Sequence, residues 1–447
     1  MKRILSLIVA LLSLTSVYPD TLPVEEIVNI PVAFTDISGD SYIAFPGSGW
    51  CYYYDNVFGP VYCPETDGNG NLVDVFYSSH DVVKEIIFHP FSQATSIDYM
   101  AFCYLDALRS ITFPQSITNI DRMAFQGTDN ISTVKVYVTD TAAFCNNLII
   151  GQVRMRLNAP VMLINSEGVE ITELVVPDGV QSIGMNAFHN CTGLTSVIFP
   201  SSVTNIGSYA FHNCPIQSVK VIVSDKYAFP SNTLVGKIKF EIYQPVHLID
   251  SEGIEIIEYV IPDGVETVNA DAFANCVDLS RVIIPASVST IGDGAFSGCA
   301  SLSEIIIPDG VSRIGSYAFE DCSSLSSIYN FNPQPQYIRS DVFSNYNATL
   351  YVLESSVSAY QAADVWKQFN IVGVLKGDVN MDHEVDVADF TLLANYLLGK
   401  SPDGFFAPLA DVAGGASGGS DGEIDVADLT GIANIILHSG TSSTDTP

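Results

Sequence analysis

Apolar and polar positions along most of the chain follow a frame of 23 residues. The clearest copy is LTSVIFPSSVTNIGSYAFHNC at 194–214, and the same frame returns at 279–299 and 302–322. Further copies occupy 171–191 and 256–276, and looser ones 83–103 and 108–128. Each copy opens with a short alternating run that ends near a proline, which is typical of a strand. The frame therefore predicts one short strand per repeat, stacked on its neighbours as a parallel sheet.

The alternation also predicts which side chains face the core. In Val197-Ile198-Phe199 we expect the first and third side chains to point inward and the middle one outward. The Ala-Phe pair of each repeat adds one inward phenylalanine, namely Phe188, Phe211, Phe273, Phe296 and Phe319. The predicted outward row is Thr112, Val175, Ile198, Val260, Ile283 and Ile306, beside the mostly acidic row Ser110, Glu173, Ser196, Glu258, Arg281 and Glu304. An exposed apolar row marks an interaction surface, although β-branched residues suit any sheet.

The frame resembles the BspA-like class of leucine-rich repeats, which is common in secreted and surface proteins of gut and oral bacteria. The resemblance covers most of residues 81–374. It implies a mainly β solenoid that presents a binding face to protein partners, or to host or glycan ligands.

A longer duplication runs through the same region. VKVYVTDTAAFCNN at 134–147 matches 219–232, and VMLINSEGVEITELVVPDGV at 161–180 matches 246–265, so both pairs are separated by the same offset. Two short repeats plus a spacer therefore form a duplicated unit. We expect the spacers to continue the stack as irregular β rungs.

The amino-terminal region differs in character from the repeats. Residues 1–19 combine basic residues with an apolar run, which is typical of a secretory signal peptide. Residues 20–80 are aromatic and rich in glycine and proline, and they predict a β-rich cap. Trp50 and Tyr52–Tyr54 either cover the first rung or stack on sugar rings. No later segment reaches the ~18 apolar residues of a membrane span. We expect a secreted or cell-surface bacterial protein.

After the repeats, oxygen-bearing side chains recur at the spacing of a calcium loop. Asp378, Asn380, Asp382, Glu384, Asp386 and Asp389 occupy loop positions 1, 3, 5, 7, 9 and 12, with position 7 acting through its backbone carbonyl. His383 replaces the usual glycine at position 6, so we expect local strain.

A second half follows, because VADFTLLANYLL at 387–398 aligns with VADLTGIANIIL at 426–437. Its candidate ligands are Asp411, Asp421, Glu423, Asp425 and Asp428. The insertion AGGASGGS interrupts this loop, and no oxygen-bearing residue can be assigned to loop position 3. We therefore expect the second loop to bind calcium weakly or not at all.

The two halves at 376–438 resemble a dockerin, a small α-helical module with two EF-hand-like calcium loops. The resemblance implies calcium as the bound ion and a cohesin-like protein as the partner. It places Val387, Ala388, Val426 and Ala427 at the partner-facing loop positions, where this chain is apolar rather than hydroxyl-bearing. Whether a cohesin partner exists stays open. We expect the tail at 439–447 to be disordered.

Charge and cysteine content narrow the function classes. The net charge of −32 opposes binding to nucleic acid. The cysteines that close the repeats should be buried thiols, because parallel Cβ vectors suit a disulfide poorly. Cys51 and Cys63 lie outside the repeats and could pair in an oxidising compartment.

No motif of a known hydrolase or protease stands out in the sequence. The two carboxylates of a glycosidase have no fixed spacing and leave no motif. Because regular repeats leave little chain for a catalytic domain, we expect a non-catalytic binding or adhesion protein. The alternative is an accessory component of an extracellular polysaccharide-degrading complex.

Overall fold

The computed structural model describes residues 32–36, 41–44, 51–52, 83–88, 90, 95–97, 102, 104–405, 407–410 and 424–439. They fall in two compact units. The first is bounded as Met1–Val175, Ser182–Ser196 and Gly207–Pro215, the second as Val176–Gln181, Val197–Ile206 and Ile216–Pro447. The predicted signal peptide, Trp50, Cys63 and the side chains of Cys51 and Tyr52 lie outside this description, as do Tyr53, Tyr54 and the tail after 439.

The strands are short and occur once or twice per repeat. They are β1 Val32–Asp36, β2 Ser41–Ala44, β3 Cys51–Tyr52, β4 Val83–Ile87, β5 Ser96–Ile97, β6 Ser110–Phe113, β7 Asn119–Ile120, β8 Thr133–Tyr137, β9 Val161–Ile164, β10 Glu173–Val175, β11 Ser182–Ile183, β12 Ser196–Pro200, β13 Asn205–Ile206, β14 Ser218–Ile222, β15 Val246–Ile249, β16 Glu258–Val260, β17 Thr267–Val268, β18 Arg281–Ile283, β19 Thr290–Ile291, β20 Glu304–Ile307, β21 Arg313–Ile314, β22 Ser327–Asn330, β23 Thr349–Leu353 and β24 Asn370–Val374.

Helices lie between the repeats and after them. They are α1 Thr141–Phe144, α2 Ile149–Arg156, α3 Leu234–Glu241, α4 Val357–Ala362, α5 Val387–Leu397 and α6 Val426–Ser439. Within the described part of the chain, no helix is both long and apolar enough to cross a bilayer.

The sheets follow the repeat. In the first unit the order is β3-β2-β1-β4-β6-β8-β9, antiparallel from β3 to β4 and parallel from β4 onward. In the second unit β16-β18-β20-β22-β23-β24 is parallel throughout. Most steps along this sheet advance by one repeat, as in Arg281 opposite Glu304. The predicted repeat solenoid is confirmed.

The inward phenylalanines form stacked ladders. Phe188 lies 5.1 Å from Phe211 with ring planes 8° apart in the first unit. In the second unit Phe296 lies 5.3 Å from Phe273 and 5.6 Å from Phe319. All five are buried, as predicted. Each ring therefore covers the faces of its neighbours, so the core of each unit continues from one repeat to the next.

The glycine of the recurring Ile-Gly pair has a steric reason. A Cβ on Gly292 would lie 2.5 Å from the backbone nitrogen of Ala270, and one on Gly315 would lie 2.4 Å from that of Asp293. Both distances are far inside normal contact. Only glycine lets the backbones of successive rungs approach this closely.

The repeat cysteines are buried thiols that bond to the preceding rung. Sγ of Cys299 donates to the carbonyl oxygen of Phe273 at 3.1 Å, and Sγ of Cys322 donates to that of Phe296 at 3.2 Å. Burial raises the pKa of Cys322 to about 12. Cys191 and Cys276 are also buried and unbridged, while Cys214 is half-buried. The expectation of thiols rather than disulfides is confirmed, and such thiols are poor nucleophiles.

The spacers differ from the expectation of β rungs alone. Each has parallel strands at its two ends, but α2 and α3 lie between them and pack against the short strands β7 and β13. Ile149, Ile150 and Val153 are the buried residues of α2, a spacing that suits one face of a helix. The strands on both sides of each spacer helix alternate apolar and polar residues, and the helix between them is too short for its own periodicity to stand out in the sequence.

Candidate functional site

The predicted outward row lies on the outer face of the sheets. Val175 and Val260 are about half exposed, at 51% and 49%, while Ile198 and Ile283 are more covered. Thr112 was expected to be exposed but is only 2% exposed. It is a short side chain that lies opposite Ile87 on one side and opposite Lys135 on the other. The exposed apolar row therefore does not include Thr112.

The row continues toward the end of the second unit as aromatic residues. Ile306 lies opposite Tyr329, and Tyr329 lies opposite Tyr351. The two tyrosine rings stack with centroids 4.7 Å apart and planes at 15°. Tyr329 is only 3% exposed although its register places it on the outer face. Another part of the chain must cover it.

Leu409, from the segment that follows the repeats, provides this cover. It forms a buried cluster with Tyr329, Phe331 and Val374, against which the half-buried Ile306, Tyr351 and Leu353 also pack. The ammonium group of Lys376 lies 5.3 Å from the centroid of the Phe331 ring. The segment after residue 376 is thus seated on the outer face of the last strands, and Ile306 is partly covered by its own chain. Sequence reasoning did not find this contact.

Three residues of the mostly acidic row, Glu258, Arg281 and Glu304, form an ion-pair ladder. Arg281 Nη1 lies 3.3 Å from Glu258 Oε1, and Arg281 Nε lies 3.1 Å from Glu304 Oε1. Because these groups are part-exposed, each pair contributes little stability. The ladder does lower the local negative charge next to Val260 and Ile283, which leaves these residues as the apolar part of this face.

The first predicted calcium loop closes around its own backbone. Asp378 is buried, and its two carboxylate oxygens accept from the backbone N–H of Asp382 at 3.1 Å and of His383 at 2.8 Å. His383 has φ 71° and Met381 has φ 61°, both in the left-handed region. The strain expected from a histidine at position 6 is therefore present, because this region costs a side chain energy that glycine avoids.

Asp389 closes the loop and begins α5. Its oxygens accept from the backbone N–H of Asn380 at 3.1 Å and of Asp386 at 2.8 Å, while Asp386 caps the helix in return. Burial, and to a smaller extent the nearby Asp378 carboxylate, raises the pKa of Asp389. Two buried carboxylates thus lie close enough to repel each other.

The second half repeats this helix start. Asp425 N donates to Asp428 Oδ2 at 2.9 Å, and Ala427 N donates to Asp425 Oδ1 at 2.6 Å. The corresponding bonds of the first half are 2.8 Å and 2.6 Å long. Asp428 is buried like Asp389. Asp411, Asp421 and Glu423 lie outside the described residues, so the rest of the second loop stays a prediction.

The chemistry of the donor set suits a hard cation. The first loop offers carboxylate, amide and backbone oxygens, which are the ligands that calcium takes. Among the described residues, no three His, Cys, Asp or Glu side chains are gathered as the ligands of a metal ion would be. Asp378 and Asp389 instead bind backbone N–H groups. A divalent cation would offset the repulsion between the two buried carboxylates, so the donor types of this loop suit calcium.

The helices share one small core, and each exposes the same apolar positions. Leu393 of α5 and Ile432 of α6, which align in the sequence, are buried together with Val379 and Ala410. Val387 and Val426, the first residues of the two helices, are both well exposed. Ala388 is also exposed and Ala427 is half-buried. The four predicted partner-facing residues thus lie at the two helix starts.

Comparison with known families matches this repeat architecture. The model described as "BspA type Leucine rich repeat region (6 copies)" matches residues 73–151, 166–252 and 251–363. The chain belongs to the BspA-type leucine-rich-repeat family. The BspA-type match indicates a non-catalytic protein-interaction role. Comparison with curated proteins gave no significant match.

Solved structures of bacterial leucine-rich-repeat proteins are similar to this BspA-type chain. A leucine-rich cell surface protein of Faecalibacterium prausnitzii shows 18% identity, with 75% of this chain and 95% of that chain covered and a TM-score of 0.28. A leucine-rich-repeat protein of Bacteroides ovatus shows 15% identity, with 80% of this chain and 100% of that chain covered and a TM-score of 0.29. A leucine-rich-repeat protein of Eubacterium ventriosum shows 21% identity and a TM-score of 0.27. The match covers 59% of this chain and 65% of that chain, so this chain spans less than two thirds of that protein.

Proposed function

We propose that this chain is a secreted or cell-surface bacterial binding protein. In this proposal the repeats at 81–374 hold a partner on their outer sheet face, and residues 376–438 form a dockerin-type module that binds calcium. The family match supports the interaction role. The predicted signal peptide at 1–19 and the cap at 20–80 belong to the same proposal.

The observation that carries the binding face is the way the chain uses that face itself. Leu409 buries against the outward side chains of Tyr329, Phe331 and Val374. The outer sheet face therefore accepts an apolar side chain at this point. Val260 and Ile283 extend the same kind of surface to β16 and β18, and neither residue is in the described cluster around Leu409. An exposed apolar surface of this kind marks a site for a protein partner.

Charging this uncovered part should abolish partner binding while the fold is kept. We expect Val260→Lys with Ile283→Lys to lose capture of proteins from the surface extract of the producing bacterium or its host, because lysine cannot fill an apolar contact. A pull-down with the full chain measures this, and circular dichroism checks the fold. The matched control is Ser301→Lys with Ser340→Lys, two exposed positions outside the strands. Equal capture by both variants would place the partner elsewhere on the repeats.

Calcium would be held by Asp378, Asn380, Asp382, Asp386 and Asp389, with the backbone carbonyl of Glu384 completing the first site. Asp411, Asp421, Glu423, Asp425 and Asp428 are the proposed residues of the second. When bound, calcium would compensate the negative charge of these carboxylates, which belong to both the loop and the start of α5. The burial of Asp378 and Asp389 and the duplicated cap geometry support this assignment.

Calcium should stabilise the full chain against thermal unfolding of its C-terminal segment. A ligand at 100 times its Kd stabilises the folded state by about 2.7 kcal/mol, and we expect a gain of this order relative to chelator. The measurement is a thermal melt followed by calorimetry, with calcium and with chelator. Asp378→Ala and Asp389→Ala should remove the difference between the two conditions.

Because both substitutions also remove hydrogen bonds, the calcium-dependent difference is the informative quantity rather than the melting temperature itself. Asp403→Asn is the control, since Asp403 is exposed and lies outside the loop. It should keep the full calcium response. An unchanged melt of the unsubstituted chain on calcium addition would contradict the calcium assignment.

The exposed helix starts support a protein partner for the C-terminal segment. Val387 with Ala388, and Val426 with Ala427, are two similar apolar patches of the kind that a cohesin-like module could bind. Through such a partner the chain would also serve as an accessory component of an extracellular polysaccharide-degrading complex. Calcium-dependent capture of that partner, lost in Val387→Asp with Val426→Asp, would test this role.

A further inference from the structure

A cationic and aromatic cluster lies on the first unit, on α2 and on turns outside the strands. Arg154, in the last turn of α2, donates from Nη1 to Asn186 Oδ1 at 2.8 Å. Its guanidinium carbon lies 5.4 Å from the centroid of the Tyr209 ring, in cation–π geometry. Both Arg154 and Tyr209 are exposed. A guanidinium has five N–H donors, so several remain for a ligand.

Two histidines extend the cluster. The rings of His189 and His212 lie 5.3 Å apart, and His212 meets the Tyr209 ring edge-on at 5.5 Å. His189 is only 7% exposed, yet its Nδ1 has no hydrogen-bond partner among the described residues. Burial, then Arg154, then His212 lower the pKa of His189, and no carboxylate is among these causes. The fixed positive charge next to the two histidines is thus the Arg154 guanidinium.

The positive character is unusual for this protein. The chain carries a net charge of −32 with only 18 lysines and arginines. Within the described residues, no carboxylate lies in ion-pair distance of Arg154, whose side-chain partners are the neutral Asn186 and Tyr209. A cation that is held in place without a carboxylate is suited to receive an anion from outside.

The internal duplication provides a built-in comparison. At the offset of the duplicated unit, Arg154 corresponds to Lys239, Asn186 to Asp271 and Tyr209 to Gly294. Lys239 Nζ is neutralised by Asp271 Oδ1 at 2.8 Å. A Cβ on Gly294 would lie 2.5 Å from Asp271 Oδ1 and 3.4 Å from Lys239 Nζ, so a side chain there would have to displace this ion pair.

The histidines are absent from the second copy as well. His189 corresponds to Ala274 and His212 to Ser297. The second copy keeps the same backbone frame, since Asn186 and Asp271 both have positive φ, at 58° and 55°. The solenoid therefore does not require the cluster for folding. All five of its side chains are particular to the first copy.

We propose that Arg154, Tyr209 and the His189–His212 pair bind an anionic sugar residue of a glycan. The carboxylate or sulfate of the sugar would accept from Arg154 and from the exposed His212, which packs on the buried His189. The apolar face of the sugar ring would lie against the tyrosine. The exposed aromatic ring favours a sugar over an acidic peptide, because the C–H face of a sugar packs on an aromatic surface. Glycans with carboxylate and with sulfate share the required chemistry, so the experiment distinguishes them.

The test measures binding of defined probes to the full chain by isothermal titration and ligand-observed NMR at an ionic strength of about 0.15 M. The probes are an oligogalacturonate, a sulfated heparin disaccharide, a neutral cello-oligosaccharide and a glutamate peptide. We expect saturable binding of at least one anionic sugar and none of the neutral one. The stronger anionic probe identifies the anion. Binding by neither anionic sugar, or by the glutamate peptide alone, would overturn the proposal.

Two substitutions locate the site. Arg154→Gln removes the positive charge. Asn186→Asp places a carboxylate next to Arg154, as Asp271 does next to Lys239 in the second copy, and it keeps the size of the side chain. Each should weaken binding at least tenfold, or about 1.4 kcal/mol. Tyr209→Ala should weaken it severalfold.

Matched controls come from the equivalent positions. Lys239→Gln, in the second copy, and Tyr317→Ala, an exposed tyrosine in the repeat slot of Tyr209, should leave binding unchanged. If Asn186→Asp binds as tightly as the unsubstituted chain, or if Lys239→Gln weakens binding as much as Arg154→Gln does, the assignment to this cluster is wrong.

Discussion

Replacing Phe296 by alanine is expected to lower the free energy of unfolding by about 3–5 kcal/mol, the usual cost of a large-to-small change in a packed core. The ring is fully buried between Phe273 and Phe319, at 5.3 and 5.6 Å. Its removal leaves a cavity and strips one face from both neighbours. Urea unfolding followed by circular dichroism measures the loss. Because each rung touches mainly its neighbours, native-state hydrogen exchange should show the damage concentrated at 273–322.

Two variants check that packing is the cause. Phe296→Leu retains most of the apolar volume and should cost clearly less than the alanine change. Tyr317→Ala removes an exposed ring from the next rung and should stay within about 0.5 kcal/mol. A loss below about 1 kcal/mol for Phe296→Ala would contradict the stacked core.

Replacing Leu409 by alanine is expected to release the C-terminal segment from the outer sheet face at a cost of about 2–5 kcal/mol. Leu409 is fully buried, and its cluster with Tyr329, Phe331 and Val374 joins the segment to the last strands. Without the leucine side chain, the ring of Tyr329 becomes exposed to solvent. The change is measurable as a loss of near-ultraviolet circular dichroism and as faster hydrogen exchange in α5 and α6.

Leu398→Ala is the matched control. Leu398 follows α5 and is largely exposed, so Leu398→Ala should lower the free energy of unfolding by no more than about 0.5 kcal/mol. If Leu409→Ala unfolds no more easily than Leu398→Ala, the packing on the sheet does not hold the segment. In that case the whole outer row from Val260 to Tyr351 would be open to a partner.

The sequence by itself was sufficient for the repeat, its strand faces and its buried plugs. The reason is physical: strand side chains alternate, and the 23-residue frame places the same residue type at the same place in each rung. The left-handed conformation of His383, at position 6 of the predicted calcium loop, could also be predicted from sequence, because the spacing of the oxygen-bearing residues demands a turn there. These features depend on residues near one another or at a constant offset.

Other features depend on which distant segments meet. The spacer helices were missed because their short helical period lies between strands that alternate. The burial of Tyr329 could not be read from its strand, since Leu409, which covers it, belongs to a segment that begins only after the last repeat strand. Likewise Arg154 reaches Tyr209 only through the stacking of a spacer helix on a later repeat. The local pattern decides which face a side chain takes. Only the tertiary structure decides what covers that face, because burial depends on the segments that pack there and not on the strand itself.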